Sequence, residues 1–267
     1  MNDRELQNQI AAAEAYEALH LPALFHQWAS RVADAAEIQP AQRVLDIACG
    51  TGVLAREALD RVGSTGTVVG VDPNAGMLAV AQRLGPGIEW RAGSAEELPC
   101  GDRSFDAVVS QFGLMFFVDR ARAITEMLRA LKPEGRLAVA VWSSLEESPA
   151  YSTAVNLLED LAGRPAADAL RAPFVLGDKE QLASLFDHAD LASVEITTRS
   201  GTARFPSIRT MVEADLRGWL PVMGVNLAED LILHILEEAE AALAAYVTES
   251  GEPVFEMPAH IVTGRLG

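Results

Sequence analysis

Cysteine is almost absent from this sequence of 267 residues, which contains only Cys49 and Cys100. Two cysteines cannot build the several disulfides of a secreted disulfide scaffold, and no CxxC pair or cysteine–histidine spacing indicates a zinc site. We therefore expect a reducing compartment and no bound metal.

Positive charge is also scarce. The chain has 21 Lys and Arg residues against 38 Asp and Glu residues, which gives a formal net charge of −17 at pH 7. A surface of this sign repels phosphate groups, and no stretch of the sequence concentrates basic residues. We therefore expect neither a nucleic acid nor an anionic membrane as a partner.

Long apolar runs are missing as well. The longest, residues 112–118 and 137–142, fall well short of the roughly 20 residues that cross a bilayer, and the polar N-terminal stretch lacks the apolar core of a secretory signal. Hydrophobic residues still make up 49% of the chain and charged residues 22%, as in ordinary folded proteins. These features predict a folded, cytoplasmic protein.

Short apolar runs alternate with helical patterns through the first half of the chain. Strands are predicted at 43–48, 67–72, 88–93, 106–111 and 136–142, and helices near 52–62, 75–84 and 119–131. Strands that are apolar throughout and alternate with helices indicate a parallel sheet covered on both faces. The predicted class is α/β, a doubly wound, mostly parallel, Rossmann-like sheet.

Helical sequence flanks this alternating region on both sides. Residues 3–20 and 22–37 predict two helices broken at Pro22, and residues 132–135 predict the turn into the strand at 136. In the second half, two strands are predicted at 193–205 and 253–265, with helices at 146–190 and 207–250. The second helical group therefore looks inserted between late strands.

The strongest local signal is the run VLDIACGTG, from Val44 to Gly52, in which a buried strand enters a glycine turn and then a helix. Glycine lets a ligand approach the backbone closely, and the helix N-terminus beyond it offers free N–H groups. The pattern Gly50-x-Gly52-x-x-Ala55 also fits the relaxed dinucleotide-binding fingerprint. The turn alone leaves open a nicotinamide-dependent oxidoreductase, or a glycine turn with no ligand.

Two carboxylates accompany this turn. Asp46 lies at the end of the first strand and Asp72 ends the next one, and such strand ends open on one crevice in a parallel sheet. Asp72 can accept both hydroxyls of a ribose, whereas Asp46 can orient the turn or face an ammonium group. The structural alternatives are an Asx-type turn at Asp46 and a helix cap at Asp72.

Five segments in order, VLDIACGTG, VVGVD, GSAEELP, SFDAVVSQ and LKPEGRLAVAVW, resemble the class I S-adenosylmethionine-dependent methyltransferases. The most similar branch is the small-molecule group that includes the ubiquinone/menaquinone-biosynthesis methyltransferases. The resemblance covers about residues 40–142. It departs from the family pattern at Ala48, where the first glycine of the loop is usual, and at Ser94, where Asp is frequent. An oxidoreductase fingerprint has neither an acidic residue four places before its first glycine nor a GSAEELP segment.

The resemblance implies S-adenosyl-L-methionine as the cofactor, and a role for each matching residue. The methionine end of the cofactor would be lined by Asp46, Ala48, Gly50 and Gly52, with Tyr16 capping its carboxylate. The ribose and adenine would be held by Asp72, Pro73, Met77, Ser94, Ala95 and Glu96. The sulfonium and its amino group would lie over Gln111 and Phe112. For Met77 and Phe112, ordinary core packing is the competing interpretation.

The resemblance also implies methyl transfer to a small-molecule acceptor, and it divides the chain. Residues 1–38 would form an N-terminal helical cap, 39–142 the cofactor-binding core, and 143–267 the rest of the α/β domain, with helical lid insertions at 143–175 and 206–250. Apolar patches at 219–223 and 116–117 predict a largely apolar acceptor. No residue is assigned as catalytic, because transfer from a sulfonium depends mainly on alignment. A non-catalytic ligand-binding relative and a homodimer formed through the insertions stay open.

Overall fold

Seven strands form one sheet in the computed structural model, which describes residues 3–187, 189 and 191–267. With the two strands of a separate ribbon, the described residues contain nine strands. In chain order they are β1 (Arg43–Ile47), β2 (Thr67–Asp72), β3 (Glu89–Ala92), β4 (Phe105–Gln111), β5 (Leu131–Trp142), β6 (Leu191–Arg199), β7 (Thr202–Arg204), β8 (Val254–Glu256) and β9 (Ala259–Leu266). The sheet runs β3-β2-β1-β4-β5-β9-β6, and β7 pairs with β8 in a separate ribbon. In the large sheet β9 runs antiparallel to both of its neighbours, β5 and β6, and the other neighbouring pairs are parallel. The predicted α/β class and mostly parallel sheet are confirmed.

Eleven α-helices surround the sheet in the described residues. They are α1 (Asp3–Ala15), α2 (His26–Ala35), α3 (Val53–Val62), α4 (Ala75–Leu84), α5 (Arg120–Ala130), α6 (Pro149–Ala162), α7 (Arg164–Arg171), α8 (Lys179–Ser184), α9 (Ile208–Ala214), α10 (Leu220–Val222) and α11 (Glu229–Ala242). Helices α3 to α5 agree closely with the pattern in the sequence. No helix in the described part of the chain is long and apolar enough to cross a membrane.

The centre of the sheet is the centre of the core. Val44, Leu45 and Ile47 on β1, and Phe105 and Val108 on β4, are fully buried. Helices cover both faces of these strands, so every side chain along them meets other apolar groups. This explains why their sequence is apolar throughout rather than alternating.

The predicted break at Pro22 is wrong. The chain stays helical from α1 to α2 through a π-helical segment, Tyr16–Phe25, which contains Pro22. The His26 amide donates to the carbonyl of Leu21, five residues back. Proline lacks the amide hydrogen and crowds the carbonyl of the preceding turn, and the wider π-helical turn accommodates both without ending the helix.

Strand β5 begins five residues earlier than predicted. Phe105 pairs with Leu131 and Ala107 pairs with Arg136, so residues 132–135 bulge out between two paired positions. Within the bulge, Glu134 has a φ of +65°. The predicted turn is therefore a bulge inside the strand.

Each predicted late strand is in fact two strands in different sheets. Residues 193–205 divide into β6 and β7, and residues 253–265 divide into β8 and β9. The breaks lie side by side, because the Met257 amide donates to the Gly201 carbonyl at 2.8 Å. A Cβ atom on Gly201 would lie 2.3 Å from Cζ2 of Trp28, so the chain can pass this point only as glycine. This contact is long-range, and local composition carries no sign of it.

Trp90 on β3 fills space that three glycines leave open. A Cβ atom on Gly70 would lie 2.4 Å from Cζ3 of Trp90, and one on Gly52 would lie 2.3 Å from its Cη2. The indole Nε1 donates to the Gly85 carbonyl at 3.0 Å. The ring therefore supports the glycine turn and β2 together.

We expect Gly70→Ala to lower the free energy of unfolding by about 1–3 kcal/mol, because a Cβ there overlaps the Trp90 ring. Urea denaturation measures the change. The matched control is Gly218→Ala, since no atom of the described residues lies within 4 Å of a Cβ at that position. Equal stability of the Gly70 variant and the parent would show that Trp90 moves aside freely.

Candidate functional site

The turn after β1 is built from residues that accept left-handed backbone. Ala48, Gly50 and Gly52 have φ values of +55°, +55° and +86°. The left-handed region disfavours a Cβ atom, so Ala48 carries strain where the related family usually has glycine. Around Gly50, by contrast, no atom of the described chain lies within 4 Å of a built Cβ. The turn thus exposes its backbone on one side.

Asp72 joins this turn to the end of β2. Its Oδ2 accepts from the Gly50 amide at 2.9 Å and its Oδ1 accepts from the Asn74 amide at 2.8 Å. The cap of α4 is Asn74, whose side chain accepts from the amides of Gly76 and Met77. Asp72 is therefore not the helix cap. An ionised carboxylate has about four acceptor positions, so the two amides leave room for two hydroxyl groups.

Asp46 is a buried carboxyl group that forms no ion pair with any described residue. It is 1% exposed, it sits on β1 between Gly70 and Val109, and neither side-chain oxygen makes a hydrogen bond to any described residue. Burial raises the pKa of Asp46 well above its ordinary value. The backbone of Ala55 lowers this pKa in part, and the negative charge of Asp72 raises it further. An Asx-type turn is excluded, because such a turn needs a hydrogen bond from this side chain.

The residues predicted to meet adenine lie beyond β3. Ser94 and Glu97 form an isolated bridge, and Ala95 is 6% exposed. The Oε1 atom of Glu96 accepts from the amides of Val118 and Asp119 at 3.0 and 3.4 Å. Glu96 therefore ties this segment to the loop after β4, as well as lying beside the predicted adenine position.

Aromatic rings gather beyond the ends of β4 and β5. Phe112 has a φ of +57° and stacks on Trp142, with ring centroids 3.8 Å apart. Phe25 packs against both rings at 5.5 and 5.7 Å, and Trp28 meets both edge-on. The neighbouring Gln111 donates from Nε2 to the Phe25 carbonyl at 3.1 Å. Its Oε1 is buried without a partner among the described residues, which leaves one acceptor at the tip of β4.

Tyr16 brings the N-terminal cap over the same end of the sheet. Its ring lies 5.9 Å from His20 and 5.4 Å from Phe25. Burial raises the pKa of the Tyr16 phenol, and the charges of Glu17 and Asp72 raise it further. The hydroxyl therefore stays protonated and can donate a hydrogen bond to an anion.

An ion pair fixes this cap to the glycine turn. Arg56 on α3 pairs with Glu17 at 3.0 Å, and its Nη1 donates to the Thr51 carbonyl at 2.6 Å. Helix α1 also packs closely on α4, since a Cβ on Gly76 would lie 2.3 Å from the Gln9 backbone. The cap is thus attached on both sides of the site.

All thirteen predicted site residues belong to one end of the sheet. Apart from Tyr16, they follow β1, β2, β3 and β4, which are neighbours in the sheet, or lie at the ends of these strands. Pro73 is exposed and Met77 is partly exposed, so neither is simply core. Phe112 is 7% exposed and packed among rings. Phe112 therefore packs as part of the core, and this packing does not conflict with its predicted position under the sulfonium.

Two residues that we assign to the proposed site below, Trp142 and Asp215, are not among the site residues predicted from the sequence. Trp142 ends the apolar run of β5 in the same way that Gln111 ends β4, and this position was a usable signal. Asp215 lies in a helical segment of ordinary composition, Asp215–Trp219, which is π-helical. Its burial arises only from packing of distant helices.

The inserted helices meet the strand ends through aromatic contacts. Phe116, shortly after β4, lies 5.2 Å from Trp219 between ring centroids. The Trp219 Nε1 donates to the Ala169 carbonyl on α7 at 2.8 Å. The two predicted insertions therefore contact one another and the loop after β4.

Comparison with known proteins locates this part of the chain in a family. A family described as a methyltransferase domain matches residues 45–139. The chain is 44% identical over 117 residues to a demethylmenaquinone methyltransferase of Renibacterium salmoninarum, covering 44% of this chain and 48% of that protein. It is 40% identical over 124 residues to the ubiquinone/menaquinone biosynthesis C-methyltransferase UbiE of Xanthomonas oryzae, covering 44% and 49%. The chain spans about half the length of these relatives.

Two solved structures share the fold over most of the chain. The YcgJ protein from Bacillus subtilis matches 90% of this chain and 98% of its own, with a TM-score of 0.59 and 20% identity. A phosphoethanolamine N-methyltransferase from Haemonchus contortus matches 96% of this chain and 57% of its own, with a TM-score of 0.60 and 17% identity. The two solved structures thus agree in fold. The match of residues 45–139 to a methyltransferase domain, together with the two relatives, confirms the resemblance to S-adenosylmethionine-dependent methyltransferases and the cofactor that the motifs predict.

Proposed function

We propose that the protein transfers a methyl group from S-adenosyl-L-methionine, by in-line displacement, to a small and largely apolar aromatic acceptor of the quinone type. The observation that carries the proposal is Asp46, a buried carboxyl group without a partner next to a glycine turn. Burying a charge without compensation is costly. A cofactor with an ammonium group and a sulfonium supplies the compensation.

The residues present fit this cofactor at each end. Asp46 and the Gln111 Oε1 offer unpaired acceptors toward its positive groups, and Tyr16 offers a donor toward its carboxylate. Asp72 keeps acceptor positions for the ribose hydroxyls. The wall beside ribose and adenine is formed by Pro73, Met77, Ser94, Ala95 and Glu96, and the methionine end lies along Ala48, Gly50, Gly52 and Phe112.

When bound, the cofactor supplies a methyl group on a sulfonium, which is already a good leaving group. The chain's own residues then have to align the acceptor and exclude water. Holding two reactants in line contributes roughly 7–11 kcal/mol to lowering a barrier. The stacked rings of Phe112 and Trp142 form a rigid, dry floor for that alignment, and the cap through Tyr16 and Phe25 closes one side.

An aromatic acceptor agrees with the surroundings and with the relatives. The rings beyond β4 and β5 offer apolar faces on which a flat ring packs. Besides the menaquinone enzymes, a relative from Thermosynechococcus vestitus is a 2-phytyl-1,4-naphthoquinone methyltransferase, 38% identical over 128 residues, covering 47% of this chain and 57% of that protein.

We further propose that the insertions at 143–175 and 206–250 act as a lid over the acceptor. Together they contact the loop after β4, through Phe116 and Trp219, and they lie outside residues 43–112, where the cofactor motifs beyond Tyr16 fall. A closed lid excludes water from a reactive sulfonium. In this proposal the cofactor-binding core comprises residues 39–142 and the N-terminal cap comprises residues 1–38.

Calorimetric titration tests the proposed function directly. The protein should bind S-adenosylmethionine and S-adenosylhomocysteine, because Asp46, Asp72 and the 94–96 segment are arranged together. It should not bind a nicotinamide dinucleotide. Tight binding of the nicotinamide cofactor, with none of the sulfonium cofactor, would reject the proposal.

Asp72→Ala should weaken S-adenosylhomocysteine binding by tenfold to several thousandfold. The reason is the loss of two hydrogen bonds to a charged acceptor, at roughly 1.5–3 kcal/mol each. Asp72→Asn should weaken it less, since one acceptor remains. The matched control is Asn74→Ala, which removes the cap of α4 and should lower stability by about 1 kcal/mol with little change in affinity. Parental affinity in a folded Asp72→Ala protein would show that Asp72 serves only the backbone.

Replacing Trp219 and Met223 with alanine tests the lid. We expect S-adenosylhomocysteine affinity near that of the parent, a modest fall in Tm, and altered methylation of chemically reduced 2-phytyl-1,4-naphthoquinone. Leu233→Ala, at an exposed position on α11, is the control for losing a surface apolar group. A folded variant that no longer binds S-adenosylhomocysteine would place these residues in the cofactor pocket. A change from dimer to monomer would instead identify the insertions as an interface.

A further inference from the structure

A second buried carboxyl group, with one oxygen that has no hydrogen-bond partner among the described residues, lies in the proposed lid. Asp215 is 7% exposed and begins the π-helical segment Asp215–Trp219 between α9 and α10. Its Oδ2 atom is buried with no hydrogen-bond partner among the described residues. Burial alone raises the pKa of Asp215 to about 8, so the group is largely a neutral carboxylic acid at neutral pH.

Apart from the exposed Arg209 on α9, the charged groups on this segment and on the helices packed against it are paired elsewhere. On the same segment, Arg217 pairs with Glu213 and Glu229. On α7, which packs against the segment, Arg171 pairs with Asp168 and with Glu159 of α6. Tyr151 on α6 interacts electrostatically with Asp215. The pKa of the Tyr151 phenol is raised mainly by burial and further by the charge of Asp215. None of these pairings supplies the missing partner of Oδ2.

The π-helical turn relates Asp215 to the reaction face. Asp215 and Trp219 are the first and last residues of this one segment. Trp219 is the lid residue that packs on Phe116, just after the end of β4. Asp215 therefore belongs to the segment of the proposed lid that, through Trp219, meets the loop after β4. Single π-helical turns are frequent at functional sites.

We propose that Asp215 is a specificity-determining residue of the acceptor site, whose carboxylic acid donates a hydrogen bond to a carbonyl or hydroxyl oxygen on the acceptor's aromatic ring. This rests on the proposed function and adds the acceptor's polar anchor to it. A protonated acid can donate where a carboxylate cannot. A buried donor also rejects a ring that lacks the oxygen, because the donor would then stay unpaired.

The test is binding of 1,4-naphthoquinone to protein saturated with S-adenosylhomocysteine, measured by quenching of tryptophan fluorescence, with naphthalene as the ring lacking oxygen. The parent should prefer the quinone. Asp215→Leu should bind the quinone about threefold to tenfold more weakly, the worth of one neutral hydrogen bond, and bind naphthalene at least as well as the parent. Asp215→Asn keeps a donor and should retain most of the preference. Glu213→Gln, on the preceding turn, should leave it unchanged.

The pH dependence gives an independent readout. In the unfolded chain an aspartate ionises near pH 4, whereas in the folded protein Asp215 does so only near pH 8. The raised pKa therefore makes the parent lose stability as pH rises from about 4 to 8. Asp215→Asn removes this loss, so its Tm should exceed that of the parent by several degrees at pH 8 and by little at pH 5. The parent's preference for the quinone should weaken above pH 8.

Two results would overturn the proposal. One is a quinone preference in Asp215→Leu equal to that of the parent, and the other is no quinone binding by a parent that binds S-adenosylhomocysteine. Failure of the parent to bind S-adenosylhomocysteine would instead count against the proposed function. The cofactor titration thus separates the two hypotheses.

Discussion

The carboxyl group of Asp46 is buried at the centre of the sheet with no cationic partner among the described residues, and the proposed site is arranged around it. Asp46 lies on β1, which is flanked by β2 and β4, and is only 1% exposed. Burying an unpaired carboxylate costs stability. The raised pKa of Asp46 has the same cause, because burial disfavours the ionised form. A ligand that carries positive charge restores the ionised form and recovers the cost. The site therefore stores part of its binding energy as unfavourable burial in the free protein.

The glycine turn can remain open only because other groups hold it in shape. Asp72 accepts from Gly50, Arg56 donates to the Thr51 carbonyl, and the Trp90 ring packs where Gly52 and Gly70 lack side chains. These contacts come from β2, α3 and β3. A turn that presents bare backbone to a ligand has few contacts of its own. Its shape is thus a property of the sheet rather than of the turn.

Local patterns predicted the elements whose formation depends on local physics. The strands β1, β2 and β4 are buried on both faces, so their sequence is apolar throughout. The glycine and acidic residues at their ends are the ones that we propose to hold the cofactor. The prediction failed where a distant contact decides the outcome. Gly201 breaks a strand because Trp28 occupies its Cβ position, and Pro22 continues a helix because a π-helical turn accommodates it. Asp215 could not be found from sequence for the same reason, since an acidic residue in a helix is usually exposed.

Both π-helical segments carry residues of the proposed site. One carries Tyr16, His20 and Phe25 near the N-terminus, and the other carries Asp215 and Trp219 in the proposed lid. A π-helical turn shifts every later side chain around the helix axis and leaves poorer backbone bonding, so it persists only where surrounding contacts stabilise it. Here the stabilising contacts are aromatic: Phe25 on Phe112 and Trp142, and Trp219 on Phe116. The same rings that bound the proposed acceptor site thus hold both irregular segments in place, which links the shape of the acceptor site to the packing of the cap and the lid.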